Sequence, residues 1–232
     1  MKNTLLMALA IMAAGTVSAQ KTDWANFSRY EQSNTEIAAA PAQVRRVVFF
    51  GNSITDAWPS VRPQFFSGNG FVGRGISGQT TYQFLSRFRD DVINLHPEYV
   101  VINAATNDIA ENTHPYNADR TFGNIVSMVE LAKANGIEPV LTTTLPAAAF
   151  YWNPEIKDAP EKIAALNARL AEYARTNGIP FVDYHSALLG ADGRGLDPRF
   201  SEDGVHPNAD GYSVMEKLIL PYIGGDATDG TN

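Results

Sequence analysis

The chain has 232 residues, 44% hydrophobic and 19% charged, with a formal net charge of -7 and no cysteine. These figures fit one globular core, and the missing cysteine excludes disulfides, a thiolate nucleophile, Cys-ligated zinc and a lipid anchor on an N-terminal cysteine. An acidic chain without a Lys/Arg cluster is a poor match for nucleic acid or an anionic membrane surface, which leaves a neutral or cationic small substrate open.

Residues 1–19, "MKNTLLMALAIMAAGTVSA", combine an early Lys2, an apolar run from Leu5 to Ala14, and small residues at Val17 and Ala19. That pattern reads as a secretory signal peptide. The run is too short for a membrane span, and no later stretch approaches about 20 apolar residues. An exported protein, periplasmic or secreted and without a span in its mature form, is expected. Residues 20–43 read as an N-terminal extension, 44–223 as the folded domain, and 224–232 as a flexible tail.

Within the domain, apolar β-branched runs recur at 44–51, 71–75, 99–106, 138–145 and 180–185. Between them lie helical periods: Phe84, Phe88, Val92 and Leu95, then Phe122, Ile125, Val126 and Val129, then Ile163, Leu166, Leu170 and Tyr173. Two helices run into Asn-Gly signals, "KANGIEPV" and "RTNGIPFV", where a left-handed cap leads at once into a strand. A last helix, "NADGYSVMEKLILPYI", puts Tyr212, Met215, Ile219 and Tyr222 on one face. Strands apolar on both faces and alternating with helices predict an open, doubly wound three-layer α/β/α sandwich.

In such a sheet, ligands bind at the carboxyl ends of the strands, so the polar residues that follow each apolar run are the ones that matter. Ser53 follows "VVFFGN" at a strand-to-helix turn that lifts its hydroxyl above the sheet edge, with Gly51 tolerating the bend; it is a candidate nucleophile, although the same place suits a helix N-cap. Thr55 rules out the G-x-S-x-G elbow. In "EDGVHPN", Asp203 and His206 stand three apart ahead of the last helix, a spacing that lets a carboxylate orient an imidazole whose other nitrogen takes a proton from serine. A surface histidine beside a helix start is the plainer alternative. Pro207 biases His206 toward extended backbone. His96 and His114 precede prolines and read as structural; His185, closing the fifth strand, is the rival base. Asn107 ends a strand and could either donate to a developing oxyanion or cap the turn.

The stretch "GRGISG" (73–78) spells the dinucleotide fingerprint G-x-G-x-x-G. It follows the second strand rather than the first, however, and the next strand ends in Asn107-Asp108 rather than in a ribose-binding acid. The glycines fit better as backbone passing close to a substrate, with Gly78 presenting its N–H.

Four blocks in order, "FFGNSITDAW", "GRGISGQTT", "INAATNDIAENT" and "DGVHPN", resemble the motif blocks of the SGNH hydrolases, also called GDSL esterases and lipases. The resemblance runs from about Val47 to Tyr222. It implies a flavodoxin-like sandwich of about five parallel strands, Ser53 as nucleophile, His206 as general base oriented by Asp203, and the Ser53 N–H, Gly78 N–H and Asn107 side chain as oxyanion donors. The implied reaction is a two-step acyl transfer that calls for no metal and no cofactor. Two positions depart from the family pattern: Asn52 replaces the usual acid before the serine, and Ala105 stands where the third block commonly has Gly.

For substrate contacts the candidates are Asn52, Trp58, Phe150, Tyr151 and Trp152, the four rings being able to flank an acyl chain or stack on a sugar, or else simply to pack under a loop. A small-molecule or carbohydrate ester, O-acetyl groups among them, ranks ahead of a lysophospholipid or thioester. A non-catalytic binding relative would have no need of the full set Ser53, Gly78, Asn107, Asp203 and His206.

Overall fold

The computed structural model describes residues 23–224, so residues 1–19, read as a signal peptide, and all but the first residue of the predicted tail lie outside it. In chain order the elements are α1 (Glu31–Ala39), β1 (Val47–Gly51), α2 (Ser53–Val61), α3 (Pro63–Ser67), β2 (Phe71–Gly75), α4 (Thr81–Asp91), β3 (Tyr99–Asn103), α5 (Thr106–Ile109), α6 (Ala118–Ala134), β4 (Glu138–Thr142), α7 (Ala159–Asn177), β5 (Phe181–Val182), α8 (Tyr184–Leu188) and α9 (Ala209–Ile219). All five strands pair in parallel, in the order β2-β1-β3-β4-β5. That is the flavodoxin-like winding, with its switch point at the carboxyl ends of β1 and β3.

The absence of polar alternation in the strands has a direct cause, because successive side chains leave a strand on opposite sides and both sides are covered. Val48 and Phe50 join Phe84, Phe88, Ile125, Met128, Ile163 and Leu166 in one core, under α4, α6 and α7. Val47 and Phe49 join Ile54, Trp58, Phe65, Tyr184, Tyr212 and Met215 in the other, under α2, α3, α8 and α9. Phe49 anchors this second core, its ring meeting Trp58, Phe65 and Phe66 edge-on at 5.2–5.6 Å. The result is the predicted three-layer sandwich. Among the described residues no helix is long and apolar enough to cross a membrane.

Several expected boundaries move, each for a local reason. The first strand begins at Val47, because Ala42–Arg45 winds into a 3-10 turn that leaves Val44 exposed. The third strand stops at Asn103, since Ala105 turns left-handed at φ 82° and Thr106 opens α5. Asp183 accepts the Ser186 N–H and starts α8, so the fifth strand is two residues long and His185 is helical. Tyr222 is 43% exposed and leaves the buried face of the last helix, where Pro221 lies in a 3-10 turn after Ile219. The Asn-Gly signals hold, with Gly136 and Gly178 taking the left-handed conformation.

The residues placed before the domain are ordered structure from Asp23 on. α1 and its flanks pack at the edge next to α4, with Ile37 against the α4-side core.

Candidate active site

The carboxyl ends of β1, β2 and β3 are level, with Gly51 opposite Gly75 on one side and Asn103 on the other. Loops leaving them therefore meet over one edge of the sheet. Close packing there requires Gly75, since a Cβ on it would come within 2.1 Å of the Asp56 nitrogen in α2.

Ser53 is the first residue of α2, directly after the cap. The cap itself is Asn52, whose Oδ1 accepts the Ile54 N–H at 3.0 Å. The serine hydroxyl is thus left free for other partners, and its Oγ lies 2.8 Å from Nε2 of His206. His206 Nδ1 is 2.6 Å from Oδ2 of Asp203. The other carboxylate oxygen, Oδ1, accepts the backbone N–H groups of Val205 (2.9 Å) and His206 (2.8 Å) and the Ser201 hydroxyl (3.3 Å). One side chain therefore builds the 203–206 turn and orients the ring that the turn carries. Burial pushes the Asp203 carboxyl up, but the His206 and Val205 N–H groups and the imidazole outweigh it and hold it below the usual aspartate range. An alcohol, an imidazole and an ionised carboxylate in this sequence can pass a proton from oxygen to ring while the carboxylate steadies the resulting cation.

Beside the hydroxyl is an open cleft of about 380 Å³ lined by Ser53, Ser77, Gly78, Asn107, Asn112, Tyr151, Trp152 and His206. Gly78 has φ 79°, and no acceptor for its N–H occurs among the described residues. Its carbonyl takes the Asn112 amide at 3.1 Å. Asn107 is 3% exposed at the start of α5 and donates from Nδ2 to the Gln79 carbonyl at 2.9 Å, leaving a second N–H on the same nitrogen. Its neighbour Asp108, fully buried, accepts from the backbone and hydroxyl of Thr81 and from Thr121, which ties α5 to the start of α4. A larger groove of about 570 Å³ lies between the N-terminal segment and α4, lined by Asp23, Phe27, Glu31 and Asp90 among others. It holds no histidine, whereas the smaller cleft has the Ser53–His206 pair in its lining.

Five of the predicted residues (Ser53, Gly78, Asn107, Asp203 and His206) converge on this cleft or on the relay beside it, as do Tyr151 and Trp152. Three do not. Asn52 is 1% exposed and committed to capping α2. Trp58 is buried in the second core, stacked on Phe65 and Tyr212, with its indole N–H on Glu216. Phe150 is fully buried and lies under Trp152 at 5.2 Å, a support rather than a contact surface. His185, the rival base, donates its backbone N–H to Thr143 from within α8 and is not part of this cleft. Ala105, at φ 82°, explains the glycine common in that block: a left-handed alanine carries a conformational cost of about 1 kcal/mol.

Ser77 and Asn112 were missed. Both lie inside the motif blocks, but a polar residue in a loop shows its direction only once the loop is folded. Ser77 is held by Asp56, which accepts both its N–H (3.2 Å) and its hydroxyl (2.8 Å). Asn112 bridges the Gly78 carbonyl and, through Oδ1, the Trp152 indole at 2.8 Å.

The family model for the GDSL-like lipase/acylhydrolase family matches residues 49–214. A Bacteroides fragilis protein of known structure is 63% identical, covers 88% of this chain and 98% of its own, and superposes with a TM-score of 0.85. A GDSL-like lipase of Bacteroides thetaiotaomicron is 55% identical over 87% and 98% of the two chains, with a TM-score of 0.84. Among sequence relatives, an uncharacterized lipoprotein of Bacillus subtilis is 33% identical over 66% of this chain and 70% of its own. An acetylxylan esterase of Xylanibacter ruminicola is 23% identical over 81% of this chain but only 45% of its own length. A thioesterase 1/protease 1/lysophospholipase L1 of Escherichia coli is 25% identical over 75% and 79%.

Proposed function

The chain belongs to the GDSL-like lipase/acylhydrolase family and is a carboxylic ester hydrolase, and from that premise we propose that it is an exported short-acyl esterase acting on carbohydrate O-acetyl groups through an acyl-Ser53 intermediate. The observation that carries the mechanism is the unbroken series Asp203–His206–Ser53, at 2.6 and 2.8 Å, beside the cleft. His206 takes the hydroxyl proton as Ser53 Oγ attacks the ester carbonyl, and the carbonyl oxygen gathers negative charge among the Ser53 N–H, the Gly78 N–H and the Asn107 amide. The proton then passes from the imidazole to the leaving alkoxide as the C–O bond breaks. Water, deprotonated by the same imidazole, attacks the acyl-serine and releases the acid while the proton returns to Ser53.

The cleft wall supports a short acyl group. Its lining contains no aliphatic side chain, only small polar groups with two rings at one side. A long acyl chain gains about 0.8 kcal/mol for each methylene it buries, and this cleft offers it little to bury against. Tyr151 is 68% exposed and Trp152 36%, with their rings edge-on at 4.8 Å and Trp152 centred 6.5 Å from the His206 ring. Such a ledge suits the apolar face of a sugar. The acetylxylan esterase named above fits this reading; the thioesterase/lysophospholipase relative speaks for the other.

A panel of esters decides between them. The expected order of kcat/KM is acetyl above butyryl above octanoyl, with acetylated oligosaccharides turned over. Tyr151→Ala should raise KM for the oligosaccharide about 3–10-fold, roughly 1 kcal/mol of lost stacking, while leaving p-nitrophenyl acetate within about 2-fold. A maximum on long-acyl thioesters or lysophospholipids would reject the carbohydrate assignment.

Export rests on residues 1–19, and the lipoprotein relative is in keeping with it. N-terminal sequencing of protein recovered from outside the cytoplasm should begin at Gln20. Recovery only from the cytoplasm, with Met1 or Lys2 retained, would count against it.

A further inference from the structure

Resting on the oxyanion assignment above, we propose that Gln79 is a positioning residue for that site and that the segment Trp24–Tyr30, which lies outside the family match, is the brace that fixes it. Gln79 is 4% exposed, and three of its groups are engaged in different directions. Its Nε2 donates to the Ala25 carbonyl at 2.7 Å. Its Oε1 accepts from Arg87 Nε at 2.7 Å. Its own carbonyl accepts from Asn107 Nδ2 at 2.9 Å. One residue therefore joins the N-terminal segment, a buried arginine and two of the three proposed oxyanion donors, since its peptide nitrogen is bonded to Gly78 and its carbonyl orients Asn107.

The arginine is itself immobile. Arg87 is fully buried, paired to Asp91 at 2.7 Å, and donates to the carbonyls of Gly51 (2.9 Å) and Arg74 (3.0 Å) at the ends of β1 and β2. The segment holds the same loop at further points. The Tyr30 hydroxyl donates to the Gly75 carbonyl, Gln83 donates to the Trp24 carbonyl at 2.8 Å, and Arg29 pairs with Asp56, which in turn holds Ser77. The 75–80 loop is thus tied at Gly75, Ser77 and Gln79, and the Gly78 N–H between them is left to face the cleft. Donors fixed before the charge develops stabilise it without having to reorganise, and a displacement of about 1 Å can cost around 10²-fold in rate.

The test uses the full chain with Gln79→Met, which keeps length and bulk but removes both side-chain hydrogen bonds, and Tyr30→Phe, which removes one hydroxyl and keeps the ring. With p-nitrophenyl acetate, Gln79→Met should lower kcat about 10–100-fold with KM within about 3-fold. A boronic acid that forms a tetrahedral adduct on Ser53 should lose affinity in the same proportion, while the midpoint of the pH–rate profile stays in place because the base is untouched. Tyr30→Phe should act in the same direction, about 3–10-fold. A folded Gln79→Met with kcat within 2-fold, or with boronate affinity unmoved, overturns the proposal; should Gln79→Met not fold, an unchanged Tyr30→Phe overturns it alone. Asn107→Ala separates the two levels. A loss of about 10²–10³-fold there with Gln79→Met silent rejects only the brace, whereas a silent Asn107→Ala rejects the oxyanion assignment beneath it.

Discussion

Ser53→Ala is expected to lower kcat on p-nitrophenyl acetate by at least about 10⁴-fold, equivalent to roughly 5.5 kcal/mol of transition-state stabilisation. Without Oγ there is no atom to form the acyl intermediate, and what survives is the contribution of the oxyanion donors and of binding to direct attack by water. The fold should not register the change. The cap of α2 is Asn52, not Ser53, and Ser53 makes one side-chain hydrogen bond, to the His206 ring. A thermal midpoint within a degree or two of the parent, together with retained binding of the product acid, would separate loss of chemistry from loss of structure. Residual activity within 10-fold of the parent would mean that another group is the nucleophile.

Asp203→Asn should cost about 10³–10⁴-fold, for a different reason. The amide can keep Oδ1 on the N–H groups of Val205 and His206, so the turn persists. Its second group, though, is now a donor facing Nδ1 of His206. The imidazole answers by carrying its proton on Nε2, which then has no lone pair for the Ser53 hydroxyl. The pH dependence sharpens the point. Asp203 is held below the usual aspartate range, so it is ionised throughout pH 5–8 and its own titration contributes nothing to the pH dependence of the rate across that interval. A flat parent profile between pH 5 and 8 contradicts a histidine base. For stability the sign is that of a depressed carboxyl: its contribution is complete above about pH 4, where the unfolded aspartate is ionised, and is lost as pH falls through the lower folded value. The difference in melting temperature between the parent and Asp203→Asn should therefore shrink as the solution is acidified toward about pH 3.

The alternating apolar runs, the glycine stops and the last helix could be read directly from the chain, because strand and helix periods and cap chemistry are local properties. The proximity of the residues proposed for the relay could be anticipated for the same reason. Ser53 follows a strand by two residues, and Asp203 and His206 share one turn, so sequence spacing nearly fixes where each side chain points. What failed was the direction of residues whose neighbours are remote. Trp58 lies five positions after Ser53 in α2; at 3.6 residues per turn it faces well round the helix, where Phe65 and Tyr212 enclose it. Consecutive rings in one loop divide likewise, with Phe150 turned into the core and Tyr151 and Trp152 turned to the cleft.

Asn52 and the N-terminal segment make the contrast clearest. An asparagine before a helix is as good a cap as a substrate ligand, and the choice depends on whether its side chain can see the cleft, which burial under β1 and α2 decides. Nothing in residues 23–30 announces a role, since their carbonyls and the Tyr30 hydroxyl gain meaning only from Gln79, Gln83 and Gly75, more than 40 positions away. The sequence by itself determined the layers, the alternation of strands with helices and the spacing of the residues in the proposed relay, all set by interactions within a few residues. Only the tertiary structure decided which polar and aromatic side chains face the cleft and what ties down the 75–80 loop, because those contacts are made between segments that chain spacing leaves independent.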